Sequence, residues 1–260
     1  MVNENTTVSI IGSGNVATHL ALALKSKVNV AQIYSHTLDN ARSLAYKISD
    51  KCSFCSDIKA LKKTDIYIVS IKDDSVISLL NSVPKELHNS IWAHTSGSVG
   101  MDAFANFGNK FGVFYPLQTF SKNVDLNIED VPFLIEGSDE ETQGTLVALA
   151  ESISRTVLTA DSDTRAKIHL AAVFACNFSN YMYTISEEIL KKYNIPFSVL
   201  IPLIKETVRK ASVVSPKDAQ TGPAARGDMK IINKHIDLLE SETEKNIYRI
   251  ISQEIMNSRK

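Results

Sequence analysis

The sequence predicts an α/β protein in which a doubly wound, mainly parallel sheet is followed by an all-helical second domain. Short apolar runs alternate with segments of helical spacing up to Asp161, and every later segment is helical. Strands that alternate with helices form parallel βαβ units with right-handed crossovers. We therefore place an α/β domain in residues 1–161 and a helical domain in residues 162–260.

The predicted strands are short apolar runs bounded by turn residues. The run at 66–71 is continuous and apolar, as expected for a strand that is covered on both faces. The predicted strands are residues 8–11, 28–34, 52–55, 66–71, 90–94, 112–115, 131–136 and 155–159.

The predicted helices begin at capping residues and carry apolar side chains at helical spacing. Ser138-Asp139-Glu140-Glu141 and Ser241-Glu242-Thr243-Glu244 have the form of capping boxes. In the first domain we expect helices from residue 16, over 38–48, over 75–80 and from 138 to 153. In the second domain we expect helices over 164–192 and 197–213, one ending at 239, and a last one from 241.

Composition excludes several classes of protein. The 260 residues carry a net charge of -1, whereas binding to nucleic acid through phosphates needs a basic excess or a basic face. No apolar run approaches the ~20 residues of a transmembrane helix. The N-terminus lacks the basic and apolar regions of a secretory signal, and three cysteines cannot all pair internally. These features favour a cytoplasmic protein.

A glycine-rich loop follows the first predicted strand and opens the first predicted helix. Gly12-Ser13-Gly14-Asn15-Val16-Ala17 matches the G-x-G-x-x-G/A fingerprint of Rossmann-like dinucleotide-binding domains. The first glycine permits the tight turn, the second lets the backbone approach a pyrophosphate, and Ala17 permits close helix–strand packing. The alternative is a tight strand–helix turn without a ligand.

The end of the second strand favours NADP over NAD. NAD-binding domains carry an acidic residue there, which binds the ribose 2′-hydroxyl. This chain has Ser35, His36 and Thr37 instead, with Arg42 about one helical turn further on. These side chains suit a 2′-phosphate. The alternative is that Ser35 and Thr37 only cap the next helix.

Five further motifs, together with the glycine loop, resemble an uncharacterised family of NADP oxidoreductases. The motifs are residues 69–74, 94–98, 115–120, 221–223 and 226–228. Members of the family have a Rossmann-like domain followed by a helical domain of unknown function. The family is more distantly similar to pyrroline-5-carboxylate reductase, ketopantoate reductase and 6-phosphogluconate dehydrogenase. The resemblance implies hydride transfer and a helical domain that closes over the nicotinamide and supports a homodimer.

Three of these motifs follow predicted strands, where an open parallel sheet binds its ligands. We expect Ile71 and Lys72 to line the ribose of the cofactor. His94 and Ser96 are catalytic candidates beside the nicotinamide. Ser98, Tyr115 and Gln118 are substrate-binding candidates. The alternative for the segment 96–98 is a turn without a chemical role.

The long predicted helix of the second domain supplies further proton-donor candidates. Lys167, His169 and Asn177 carry groups that can hold or orient a proton. Related β-hydroxyacid dehydrogenases have Lys followed four positions later by Asn, but Ala171 breaks this pattern. The alternative is a core helix with satisfied polar groups.

The loop around residues 221–228 supplies Arg226, which is suited to bidentate binding of a substrate carboxylate. The alternative is an ion pair between Arg226 and Asp228 that holds the loop.

The Cys52-Ser53-Phe54-Cys55 motif has no second ligand pair, so we predict no metal site.

The sequence thus predicts an NADP-dependent oxidoreductase that transfers a hydride to or from a small, carboxylate-bearing substrate. The broken Lys-to-Asn spacing leaves open a non-catalytic NADP-binding sensor or regulatory protein. A structural protein that kept the fold and lost its ligand is the third possibility.

Overall fold

The computed structural model describes residues 2–258, which form two compact units that divide between Cys176 and Asn177. The alternation of strands and helices ends earlier, between Thr159 and Ser162. The helix that follows the last strand therefore belongs to the first compact unit. The predicted functional boundary near residue 161 stays a prediction.

An eight-stranded sheet forms the centre of the first unit. Strands β1 to β6 are parallel where they pair, β7 is antiparallel to β6, and β8 is parallel to β7. The order β3-β2-β1-β4-β5-β6-β7-β8 confirms the doubly wound, mainly parallel sheet. The strands are β1 Thr7–Ile11, β2 Asn29–Tyr34, β3 Ser53–Cys55, β4 Ile66–Val69, β5 Ile91–His94, β6 Phe111–Pro116, β7 Phe133–Gly137 and β8 Val157–Thr159.

Helices cover the sheet of the first unit. Alternate residues of β1 face opposite sides, with Ile10 in one apolar cluster and Ile11 in the other. Burial of each such side chain contributes roughly 1.5–3 kcal/mol to folding. The helices are α1 Asn15–Leu24, α2 Leu38–Ile48, α3 Val76–Leu80, α4 Glu140–Glu151 and α5 Ser162–Ala172.

The two predicted capping boxes differ in outcome. Asp139, not Ser138, is the N-cap of α4, because its carboxylate accepts the backbone N–H of Thr142 at 2.8 Å. Ser241 caps the last helix as predicted, accepting the N–H of Glu244.

The second unit is helical, as predicted. Two helices of four residues lie where the sequence predicted a loop, because elements this short show no periodicity. Gly222 and Gly227 flank the second of them with φ values of 106° and 67°, which favour glycine. The helices are α6 Ser179–Lys191, α7 Ile201–Val213, α8 Pro216–Ala219, α9 Pro223–Arg226, α10 Met229–Leu238 and α11 Glu242–Asn257.

The helix predicted over 164–192 is interrupted. A π-helical segment, Val173–Phe178, separates α5 from α6 and contains the division at Cys176. Such segments add a residue to a turn without changing the apolar composition, so periodicity does not reveal them.

Within residues 2–258, none of the helices combines the length and the apolar character that crossing a membrane requires.

Candidate cofactor and substrate cleft

A cleft of about 1020 Å³ opens at the carboxyl ends of the parallel strands in the first unit. This is the edge at which doubly wound sheets bind ligands. The sequence-predicted residues that line it are Gly12, Ser13, Gly14, Asn15, Val16, Ser35, His36, Ile71, Lys72, Ser96, Ser98, Tyr115, Gln118 and His169.

Gly12 lies at the point where the strand order reverses between β1 and β4. Its φ is 129°, and a Cβ atom here would collide with the carbonyl oxygen of Ser70. Its N–H donates to the carbonyl oxygen of Tyr34 at 2.8 Å. Only glycine permits this close crossing of three strand ends.

No contact within the chain requires a glycine at position 14. It is the N-cap of α1, and a Cβ atom here would meet nothing within 4 Å. The first N–H groups of a helix lack intrahelical acceptors, and the helix dipole favours an anion in front of them. No acidic residue occupies the first turn of α1. The loop therefore fits the diphosphate of a dinucleotide.

The neighbouring loop residues divide between the cleft and the core. Ala17 is fully buried against the sheet, which fits the small-residue position of the fingerprint. The Asn15 side chain donates to the carbonyl oxygen of Phe120 at 2.9 Å, and the His19 ring bonds to that of Ser121 at 3.0 Å. These bonds attach the loop after β6 to the start of α1.

The end of β2 presents hydroxyl groups rather than an acid. Ser35 is buried, and its Oγ lies 2.8 Å from Oγ of Ser13 in the glycine loop. Thr37 is the N-cap of α2, but its side chain makes no capping hydrogen bond. Arg42 pairs with Asp39 at 3.4 Å on the exposed side of α2. Thr37 and Arg42 do not belong to the cleft lining.

Ser96 organises a turn. Its Oγ accepts the backbone N–H groups of Ser98 and Val99, each at 3.1 Å. Ser98 in turn donates to the carboxylate of Asp73 at 2.7 Å. The segment 96–98 therefore forms a turn in which the Ser96 oxygen is engaged, and the catalytic role of Ser96 stays a prediction.

His94 lies behind the cleft, fully buried at the end of β5. Its Nδ1 accepts the N–H of Ser96 at 3.2 Å, and its ring stacks on Phe104. Burial, and after it the positive charge of Arg165, lower the pKa of His94 to about 4. A neutral ring closed to solvent holds the segment after β5, and this placement argues against direct proton donation.

Tyr115 and His169 form a hydrogen-bonded pair in the cleft. The phenol oxygen, at the end of β6, lies 2.9 Å from Nδ1 of His169 on α5. A Cβ atom on Gly97 would lie 2.6 Å from that nitrogen and 2.8 Å from Cζ of Tyr115. Glycine at 97 is thus needed for the pair to form. Burial raises the pKa of Tyr115, and the charge of Arg165 opposes this rise.

Sequence reasoning missed the buried ion pair behind this site. Arg165 binds the carboxylate of Glu136 on β7 and donates to the carbonyl oxygen of Val99 at 2.7 Å. Ser162 at the start of α5 donates to the same carboxylate at 2.7 Å. Arg165 lies one helical turn before His169, but its partner comes from a distant strand, so no local pattern marks the pair.

Three other predicted residues are described by the unit to which they belong. Lys167 is exposed and pairs with Asp163 at 3.0 Å. Asn177 and Arg226 belong to the second unit, so their roles stay predictions. Within the described residues Arg226 makes no ion pair with Asp228, whose carboxylate instead accepts the N–H of Ile231 at 3.2 Å.

The cleft also contains other residues of the three motifs that follow strands, and one residue that the sequence did not single out. Asp73, Thr95 and Phe120 belong to the motifs after β4, β5 and β6. Lys122 was missed, because the conformation of the long loop after β6 is set by tertiary contacts to α1.

The two cysteines of the C-x-x-C motif are buried. Burial raises the pKa of both Cys52 and Cys55 to about 11, so the thiolate is scarce at neutral pH. Among residues 2–258 no group of three metal-binding side chains is placed to hold an ion.

Comparison with known proteins identifies the family. Residues 7–92 match the family described as NADP oxidoreductase, coenzyme F420-dependent, and residues 131–255 match a domain of unknown function, DUF2520. The putative NADP oxidoreductase from Bacteroides fragilis is 39% identical, with a TM-score of 0.89 over 98% of this chain and 99% of its own. This chain belongs to the same NADP oxidoreductase family as the Bacteroides fragilis protein. Membership confirms the predictions of an NAD(P)-dependent oxidoreductase and of NADP as its cofactor.

Other solved structures share the fold of this oxidoreductase. A Thermotoga maritima protein is 22% identical, with a TM-score of 0.79 over 97% of this chain and 99% of its own. An imine reductase from Streptomyces aurantiacus is 13% identical, with a TM-score of 0.69 over 97% and 94%. No curated protein matches the chain.

Proposed function

We propose that this oxidoreductase transfers a hydride between NADP(H) and a small, carboxylate-bearing substrate in the cleft of its first unit. One observation carries the proposal: the glycine loop and the Tyr115–His169 pair line the same cleft. The first supplies a site for the coenzyme diphosphate. The second supplies groups that can move a proton.

The cofactor site follows from the cleft lining. Backbone N–H groups at the start of α1 hold the diphosphate. Ser35 and His36 face the 2′-phosphate, and Arg42 is available to it because an exposed pair such as Arg42–Asp39 is weak. Ile71 and Lys72 line the ribose next to the nicotinamide. When bound, NADPH supplies the hydride.

The substrate is proposed to carry a carboxylate because cationic and amide groups line the cleft that contains Tyr115. Lys122 and Gln118 both come from the loop after β6. A cation binds a carboxylate, and the amide of Gln118 can orient it. Because imine reductases share the fold, we test imines as well as carbonyl compounds as substrates.

Titration of the purified protein with NADPH and with NADH, followed by fluorescence, tests the cofactor site. We expect saturable NADPH binding that is tighter than NADH binding. Reduction is then assayed as NADPH oxidation with pyruvate, an aldehyde and 1-pyrroline as probes. Absence of NADPH binding contradicts the proposed site, and binding without any turnover favours the sensor alternative.

We also propose that the chain forms a homodimer through its helical unit. That unit buries few side chains, namely Ala224, Ile232 and Ser252 among its described residues, while large apolar side chains are exposed on α7. Leu203 and Val208 are 63% and 62% exposed. Exposed apolar surface of this kind marks an interaction site. In a two-fold symmetric dimer the same patch of both copies meets, so each copy covers the apolar surface of the other.

Light scattering at micromolar concentration tests the dimer. The double variant Leu203→Glu/Val208→Glu should give a monomer, and the exposed Lys59→Glu variant in the first unit should not. A wild-type monomer contradicts the proposal.

A cytoplasmic location is proposed from the state of the cysteines. Cys52, Cys55 and Cys176 are unpaired, which fits a reducing compartment. Cell fractionation of a tagged chain tests it, and recovery outside the cytoplasm contradicts it.

A further inference from the structure

We infer that Tyr115 donates the proton that accompanies hydride transfer, and that His169 returns a proton to it. The inference rests on the proposed function and assigns the acid of that reaction. It is carried by the hydrogen bond between the two side chains at the wall of the cleft.

Tyr115 has the protonation state that a proton donor needs. Tyr115 belongs to the cleft lining although only 8% of the residue is exposed. A phenol with a pKa near or above its ordinary value of about 10 carries its proton at neutral pH. When the Nδ1–H of His169 donates to the phenol oxygen, the proton of the phenol is free to face the cleft.

The other predicted donors are engaged or misplaced. His94 is fully buried and its Nδ1 accepts a backbone N–H. The Ser96 oxygen accepts two backbone N–H groups. Lys167 is paired with Asp163 in solvent. Tyr115 and His169, by contrast, both line the cleft, and their side chains are hydrogen-bonded to each other.

Two residues hold the pair in place. Gly97 leaves the space that both rings occupy, since any Cβ atom there would overlap them. Arg165 fixes the orientation of α5 through Glu136 and the carbonyl oxygen of Val99. His169 lies on the same face of α5 as Arg165, four residues later.

The proton balance is as follows. The substrate carbon gains the hydride, so its C=O or C=N π bond breaks and the electron pair moves to oxygen or nitrogen. That atom takes the proton from Oη of Tyr115 and becomes the O–H or N–H of the product. The phenolate takes the Nδ1 proton of His169 while Nε2 takes a proton from solvent, so the imidazole changes tautomer.

Tyr115→Phe tests the donor, with Tyr46→Phe on the exposed side of α2 as the matched control. We expect Tyr115→Phe to lower kcat on the carbonyl and imine probes by about 10²–10⁴-fold. Its Kd for NADPH should stay within about twofold of wild type, since no proton transfer occurs on binding. If the wild-type enzyme is active and Tyr115→Phe keeps the same kcat, the inference is wrong and the proposed function stands.

Nitrogen NMR of His169 supplies a readout that needs no turnover. We expect the Nδ1–H tautomer in the wild-type protein and a shift toward Nε2–H in Tyr115→Phe. His169→Gln identifies the resonance by its loss. An Nε2–H tautomer in the wild type that Tyr115→Phe leaves unchanged overturns the inference. A wild type that binds NADPH and reduces no probe overturns the proposed function, and the inference falls with it.

Discussion

The guanidinium of Arg165 on α5 and the carboxylate of Glu136 on β7 form an ion pair that is almost closed to solvent. The side chains are 1% and 13% exposed. Two further residues complete the cluster. The carbonyl oxygen of Val99 accepts a hydrogen bond from Arg165, and the hydroxyl of Ser162 donates one to Glu136, each at 2.7 Å. The pair thus connects a strand, a helix and the loop after β5 directly behind the Tyr115–His169 site.

Removal of Arg165 should destabilise the fold strongly. Arg165→Met leaves the Glu136 carboxylate without its cation, and breaking one partner of a buried pair costs about 3–5 kcal/mol. Urea unfolding measures this change. Arg165→Met/Glu136→Gln should recover part of the loss, because no unpaired charge remains. As a control, Arg209→Met removes the exposed ion pair with Glu206 and should not change the free energy of unfolding measurably. If Arg165→Met and Arg209→Met lowered this free energy equally, burial would not be the reason for the stability of the Arg165–Glu136 pair.

Gly12 and Gly14 should respond differently to substitution. Gly12→Ala places a methyl group against the Ser70 carbonyl at a φ of 129°, so we expect the free energy of unfolding to fall by about 1–3 kcal/mol or more. Gly14→Asp puts a favourable residue at the N-cap of α1, so the fold should persist.

The carboxylate of Gly14→Asp faces the diphosphate site, and NADPH affinity should fall at least about 100-fold by charge repulsion. Thermal unfolding and fluorescence titration separate the two effects. Full NADPH affinity in Gly14→Asp would show that the diphosphate binds elsewhere.

His94 should make stability depend on pH. Its pKa is about 4 in the folded chain, because burial disfavours the charged ring, and about 6.5 in the unfolded chain. The unfolded state therefore binds more protons between these values, so stability is complete above pH 6.5 and declines as the pH falls toward 4. The decline attributable to His94 amounts to about 3 kcal/mol.

Urea unfolding of wild type and His94→Asn between pH 4.5 and 7.5 isolates this contribution. The difference between the two proteins should shrink as the pH falls. A difference that is the same at every pH would contradict the assigned pKa.

Ser35→Asp should reverse the coenzyme preference. It restores the acid that binds a ribose 2′-hydroxyl and repels a 2′-phosphate. We expect the Kd for NADPH to rise at least about tenfold while that for NADH is held or lowered. Ser43→Asp on the exposed side of α2 is the control. An unchanged ratio of the two Kd values would place the 2′-phosphate away from Ser35.

Much of the fold was predictable because its signals are local. The apolar run of β4, the limits of α2 and the capping residue of α11 are each fixed by neighbours in sequence. The glycine loop was predictable for the same reason, since its strand, turn and helix are consecutive and Gly12 has a conformation that only glycine adopts readily.

The chemistry of the site was less predictable because it depends on distant contacts. His94 and Tyr115 both end buried strands of the same sheet, yet one ring faces the core and the other the cleft. Lys167 and His169 are two residues apart on α5, and their opposite environments follow from the side of the helix that packs on the sheet.

Local sequence alone determined the order of strands and helices, the coenzyme loop and the residue types available to the reaction. Tertiary structure decided which of those residues meet. Arg165 and Glu136 are 29 positions apart, and Tyr115 and His169 are 54 apart. Pairing over such distances depends on the packing of α5 against β6 and β7, where burial makes an unpaired polar group costly and so selects the partners.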